Sequence, residues 1–85
     1  RAAAERRAQF APLKREIDKA EKEMEKLNGL IAELDVKLSD PTLFTANASE
    51  GARLSKQRAD AEKRLAETEE KWLEMSHEYE EGVGE

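Results

Sequence analysis

The sequence predicts an all-α protein, a two-helix antiparallel coiled-coil hairpin, from three observations. The first is an unbroken apolar heptad. Phe10, Leu13, Ile17, Ala20, Met24, Leu27, Ile31, Leu34 and Leu38 alternate steps of three and four, which makes an a/d seam over four heptads long. The second is a later tract at the same spacing: Leu54, Arg58, Ala61, Leu65, Thr68, Trp72, Met75 and Tyr79, weaker because Arg58 and Thr68 are polar. The third is composition. The 85 residues are 41% charged and 38% hydrophobic, with a mean hydropathy of −0.92, which is too little apolar material for a conventional globular core. Abundant Ala, Glu, Lys, Leu and Arg suit long helices instead.

The elements follow in chain order. Pro12 falls at heptad position c. It either sits in the first turn of helix one, leaving 1–11 as a separate or frayed segment, or it kinks a longer helix. Helix one spans about 12–39. Asn28-Gly29 lies inside it, but the a/d register runs straight through. Gly29 takes the outermost position f, where glycine costs about 1 kcal/mol. Pro41 disfavours helical backbone at Asp40, so 40–47 is a turn. Within it, Asp40 can cap a short new turn with Pro41 at its first position. Asn47 with Glu50 has the spacing of a capping box and opens helix two, about 48–81. Gly82-Val83-Gly84 closes that helix.

Each helix of about 30 residues is roughly 45 Å long and cannot bury its stripe alone. A short turn makes the two stripes antiparallel neighbours, so residues 1–85 are expected to form one monomeric hairpin domain. Heptad spacing allows partner numbers to sum to 85 or to 92. The first opposes Leu13 to Trp72 and Phe10 to Met75. It also aligns Lys14 with Glu69, Glu16 with Lys71, Glu23 with Arg64 and Lys37 with Glu50. The second opposes small Ala20 to Trp72 and brings Glu16 to Glu78. Flanking charges decide pairing in such seams, and they favour 85.

Several chemistries are excluded. Cysteine is absent, which removes disulfides, thiol catalysis and Cys-containing zinc sites. One histidine, His77, builds no His-based metal site. No G-x-x-x-x-G-K-[ST] or G-x-S-x-G occurs. Carboxylates on a rod face water, and a two-helix rod has no concave dry site, so no catalytic activity is expected and no cofactor is called for. No apolar run approaches membrane-spanning length and no leader pattern opens the chain. Arg1 in place of Met suggests a fragment of something larger.

Some residues carry a second reading. His77 at f is a solvated surface residue or a pH-sensitive ligand. Trp72 and Tyr79 lie on the seam and read as core before base-stacking platforms. Arg58 on the seam buries its stem and reaches outward. Leu30 at g and Val36 at f are apolar away from the seam and offer a docking patch.

Lys and Arg number 15 against 20 Asp and Glu, giving −5, yet the cations are not scattered. Arg15, Lys19, Lys22 and Lys26 occupy f, c, f and c, one outward line of helix one. Arg53, Lys56 and Lys63 hold the matching outer face of helix two, broken by Asp60. Such lines contact phosphate, or are solvated faces laced with local pairs such as Asp18–Lys22. The first 15 residues carry five cations and Glu67 to Glu85 eight acids, blocks expected to lie side by side at the base and partly neutralise each other.

The run Pro12 to Leu27, the turn Lys37-Leu-Ser-Asp-Pro-Thr-Leu-Phe44 and the later Glu69-Glu-Lys-Trp-Leu-Glu74 together resemble a known family. They are similar to the C-terminal coiled-coil extension of ABC-F ATPases, the Uup-like soluble relatives of ABC transporters. In that extension a hairpin with a D-x-x-[LF]-[FY] turn and a late W-x-E segment follows the second nucleotide-binding cassette. The resemblance implies a cytoplasmic parent with two ATP-binding cassettes, no membrane domain and a role at the ribosome in translation or antibiotic protection. It also implies a C-terminal arm linked to nucleic-acid binding, DNA or RNA. The C-terminal arm of valyl-tRNA synthetase, which contacts tRNA, is a rival with a related Asn/Asp-Pro-x-Phe turn. A spacer or protein-interaction rod is a third reading. The expectation is a non-catalytic accessory arm that rests its basic face on nucleic acid.

Overall fold

A computed structural model describes residues 1–84; Glu85, the last of the expected acidic block, lies outside the described residues. The described chain is all-α: α1 (Ala2–Gln9), α2 (Ala11–Leu38), α3 (Leu43–Ala46) and α4 (Ala48–Val83). It forms a rod of 65 × 15 × 14 Å.

Pro12 lies in the first turn of α2, where its missing N–H costs nothing, so the first of its two readings holds. The segment before it is a helix of its own, joined through Phe10 at φ −94° and ψ 3°. α2 runs unbroken through Gly29, whose missing side chain faces open space. At the tip, Asp40 Oδ1 accepts the Thr42 backbone N–H at 2.9 Å and the Thr42 hydroxyl at 2.8 Å. These bonds stabilise the ionised carboxyl and hold it below the usual carboxylate range. The short helix starts later than expected, at Leu43 with Thr42 as its N-cap, and Pro41 lies in the turn before it. Asn47 Oδ1 accepts the Glu50 N–H at 3.1 Å and caps α4. The reciprocal half of the capping box is not made, because the Glu50 carboxylate bonds Arg53 instead. α4 continues to Val83, two residues beyond the expected end at 81.

α2 and α4 pack side by side, numbers rising along one as they fall along the other. The fully buried apolar side chains, Ile17, Leu27, Leu34, Leu54 and Ala61, are all seam positions, and the remaining seam residues are half-buried. Their alignment differs from the expected sum of 85. Phe10, the first seam residue, seats on Gly82, one step past Tyr79, a pair that sums to 92, and Asp35 bonds Arg58, a pair that sums to 93. These contacts fall at or next to the alternative sum of 92. Leu34 and Leu54 are the most buried side chains, at 2% and 3% exposure. Of the expected cross-pairs, Glu23–Arg64 forms at 2.9 Å. Lys14 bonds Asp18 in its own helix at 2.9 Å, beside Tyr79 and Glu80 and away from Glu69.

Two aromatic rings close the rod, each over a glycine of α4. Phe44 covers Gly51 at the tip, where an added Cβ would lie 2.5 Å from the ring. Phe10 covers Gly82 at the base in the same way, and so does not face Met75. Neither glycine has a positive φ, so both serve by leaving room.

Candidate nucleic-acid interface

All seven predicted contact residues, Arg15, Lys19, Lys22, Lys26, Arg53, Lys56 and Lys63, are exposed. The rod does not treat them alike. Successive steps of four, three and four keep Arg15, Lys19, Lys22 and Lys26 on one outward edge of α2, over roughly 16 Å of helix. Among the described residues none of these four enters an ion pair within 4.0 Å. The local pair expected for Lys22 is not made, since Asp18 is taken by Lys14. Acids do border the edge. Lys22 and Lys26 flank a shallow groove with Glu25 and Glu33, and Lys19 shares the inter-helix groove with Glu16, Glu23, Arg64 and Lys71.

On α4 the cations are partly spent. Arg53 bonds Glu50 through Nε at 3.0 Å, and Lys56 lies 3.3 Å from Asp60. Both are short-range helix pairs worth a few tenths of a kcal/mol. Only Lys63 of the three has no such partner among the described residues. The two cation lines are thus unequal, and α2 carries the stronger one. Lys71, in the same groove as Lys19, adds a cation that the outward-line pattern passed over, whereas Arg64 there is engaged by Glu23.

At the base, where the basic start was expected to lie beside the acidic end, the ion pairs within 4.0 Å among the described residues are local. Arg1 pairs with Glu5 inside α1, and His77 Nε2 lies 3.2 Å from Glu81 inside α4. Among the described residues no ion pair within 4.0 Å joins the two blocks.

Arg58 does more than reach for water. Its guanidinium bonds both carboxylate oxygens of Asp35 on α2, the longer contact at 3.3 Å, and lies 2.9 Å from Glu62 on its own helix. The clamp ties α2 to α4 near the tip. The bond from Arg58 holds the Asp35 carboxyl below its ordinary value, and the bonds to Asp35 and then Glu62 raise the guanidinium further. The linkage has a definite sign. A carboxyl whose folded pKa is depressed contributes stability above its unfolded value, near 3.8 for Asp35, and loses it as pH falls through the folded value. Asp40 and Glu50 are depressed likewise, so all three act in the same direction. The melting temperature is therefore expected to hold from pH 7 to about 5 and to fall below about pH 4. Asp35→Asn should lower it at pH 7 and flatten the acid decline; an equally steep decline in both proteins would show that the clamp contributes nothing.

Trp72 and Tyr79 are half-buried seam residues in the groove lined by Lys14, Ile17, Glu21, Ser76 and Glu80. The Trp72 Nε1 is buried with no hydrogen-bond partner. Val36, Leu73 and Phe44 are exposed at 73%, 62% and 50%, scattered along the rod, whereas Leu30 is half-buried. No helix among the described residues is long and apolar enough to cross a membrane.

Comparison with known proteins adds one finding. Residues 12–77, from Pro12 through the tip to His77, match the family described as ABC transporter C-terminal domain. No curated protein and no solved structure matches the chain.

Proposed function

We propose that this chain, which belongs to the family of ABC transporter C-terminal domains and so is a C-terminal extension of an ABC-type ATPase, acts as the non-catalytic arm of a cytoplasmic ABC-F ATPase. It would work as a monomeric antiparallel coiled-coil hairpin that carries a basic edge out from the cassettes and rests it on the phosphates of ribosomal RNA or of DNA. The reading is carried by one observation: four exposed cations, Arg15, Lys19, Lys22 and Lys26, without an ion pair among the described residues and held in line on a rod. The Asp40-Pro-Thr-Leu-Phe44 tip and the Trp72-Leu-Glu74 segment, the points on which the ABC-F likeness rests, support the subtype. Lys63 adds to the edge more than Arg53 and Lys56, whose charges are already engaged.

The mechanism is electrostatic and positional. A phosphate strand laid along α2 meets cations fixed by helix geometry, so little side-chain order has to be created beyond the lysine tips. Each phosphate neutralised releases counterions, which makes affinity fall with salt. The acidic end of α4 repels the strand and leaves the α2 edge as the favourable approach. On this reading the arm itself is non-catalytic and ATP chemistry stays with the cassettes.

The test is an anisotropy titration with duplex DNA and with a structured RNA, at low and physiological salt. The expected slope of log affinity against log salt on DNA is roughly −3 to −4, for about four phosphates at −0.9 each. Changing Arg15, Lys19, Lys22 and Lys26 to Glu should abolish binding to both. Absence of binding at low salt, or a variant that binds as the parent does, overturns the reading and leaves the rod a spacer or a protein-docking element.

A further inference from the structure

Three features bear on how α1 is held. α1 ends at Gln9, and Pro12 follows at the second position of α2, where it cannot donate the hydrogen bond that would make one continuous helix. α1 itself buries no residue, and its one ion pair among the described residues, Arg1–Glu5, is internal. The residue between the two helices, Phe10, turns its ring onto Gly82 at the far end of α4, so close that any Cβ at 82 would lie inside the ring's volume.

We infer that Phe10 and Gly82 form a catch that fixes the direction of α1 relative to the rod. The ring is at the junction, so its seating sets the backbone of the only residue between α1 and α2. The seat exists because residue 82 has no side chain. Gly82 has no positive φ and so does not need glycine for its backbone; room for the ring is what the residue supplies. With the ring seated, α1 continues the long axis, which keeps the rod within 15 × 14 Å across its 65 Å. With the ring displaced, α1 has no other buried anchor and swings about the Phe10–Pro12 junction. On the reading above, on which this consequence rests, the cassettes lie before α1. The catch would then set the angle at which the arm leaves them, and binding to the last turn of α4 would free it.

The chain has no cysteine, so paired spin labels can be placed at will. Ala4→Cys on α1 and Ala66→Cys on α4 are both exposed, and their distance distribution in the 85-residue chain reports the direction of α1. The expected result is a narrow peak that is lost in Phe10→Ala and equally in Gly82→Ala. The second variant separates a catch from general loosening. Alanine is the better helix former, so helical content by circular dichroism should be kept or raised while α1 is released. A distribution already broad in the parent overturns the inference, as does a narrow peak surviving in either variant. No nucleic acid enters this measurement, so its failure is distinct from failure of the binding titration.

Discussion

Leu34→Ala is expected to lower the melting temperature by roughly 10 °C or more. Leu34 is the most buried side chain of the rod, at 2% exposure, and lies where α2 meets α4. Removing a buried leucine loses its transfer free energy and leaves a cavity, about 2–5 kcal/mol in all. A domain of this size holds on the order of 4–13 kcal/mol, and each kcal/mol moves the midpoint by about 4–8 °C. A two-helix seam has no second layer to collapse into the gap, which favours the upper half of that range. Leu73→Ala is the internal control. It deletes the same atoms from a residue 62% exposed and should stay within about 0.5 kcal/mol. Thermal unfolding by circular dichroism reads both. Equal losses would mean that the α2–α4 seam is not the core.

Gly51→Leu should cost about 1–3 kcal/mol, in spite of replacing a helix-breaking residue with a helix-forming one. The Phe44 ring lies over Gly51, and a Cβ there would stand 2.5 Å from Cε1 and 3.2 Å from Cγ. Gly51 is buried and the ring is covalently fixed to the short α3, so the ring can clear the side chain only by leaving its seat. The leucine gains about 1 kcal/mol of helix propensity, which overpacking outweighs. In Phe44→Ala the seat is empty, so Gly51→Leu added to it should be neutral or stabilising. A double-mutant cycle by chemical denaturation measures the coupling. A single Gly51→Leu variant as stable as the parent would show that the ring and the glycine are independent.

The two experiments probe what differs most between pattern and packing. Both seams, the turn after Ser39 and the cap at Asn47 were legible in the sequence because each is a local property. A 3-4 repeat names the side of a helix that is buried, proline names where a helix starts or stops, and an Asn three residues before Glu50 names an acceptor for a backbone N–H left free at a helix start. The cation edge was legible for the same reason: exposure on a two-helix rod follows from heptad position alone. Arg15, Lys19, Lys22 and Lys26 needed no knowledge of the partner helix.

What depends on the partner was not legible. A heptad repeat slides along itself at little cost in pattern, so the registers summing to 85 and 92 were both self-consistent. Only the facing helix showed Phe10 on Gly82, a pair on the sum of 92, in place of Met75. Lys14 turned to Asp18 in its own helix, and Glu23 kept Arg64. Arg58 read as a polar flaw in the seam, and only the facing helix supplied Asp35. Gly51 drew no reading in the sequence and Gly82 read as part of a terminator, yet each is a seat for a ring distant in sequence or folded back from the tip. Sequence alone thus determined the helices, their apolar faces and the charged edge, since these follow from backbone periodicity. Tertiary structure decided the alignment, the Arg58–Asp35 clamp and the two ring seats, since these depend on side-chain volumes and charges meeting across the gap between helices.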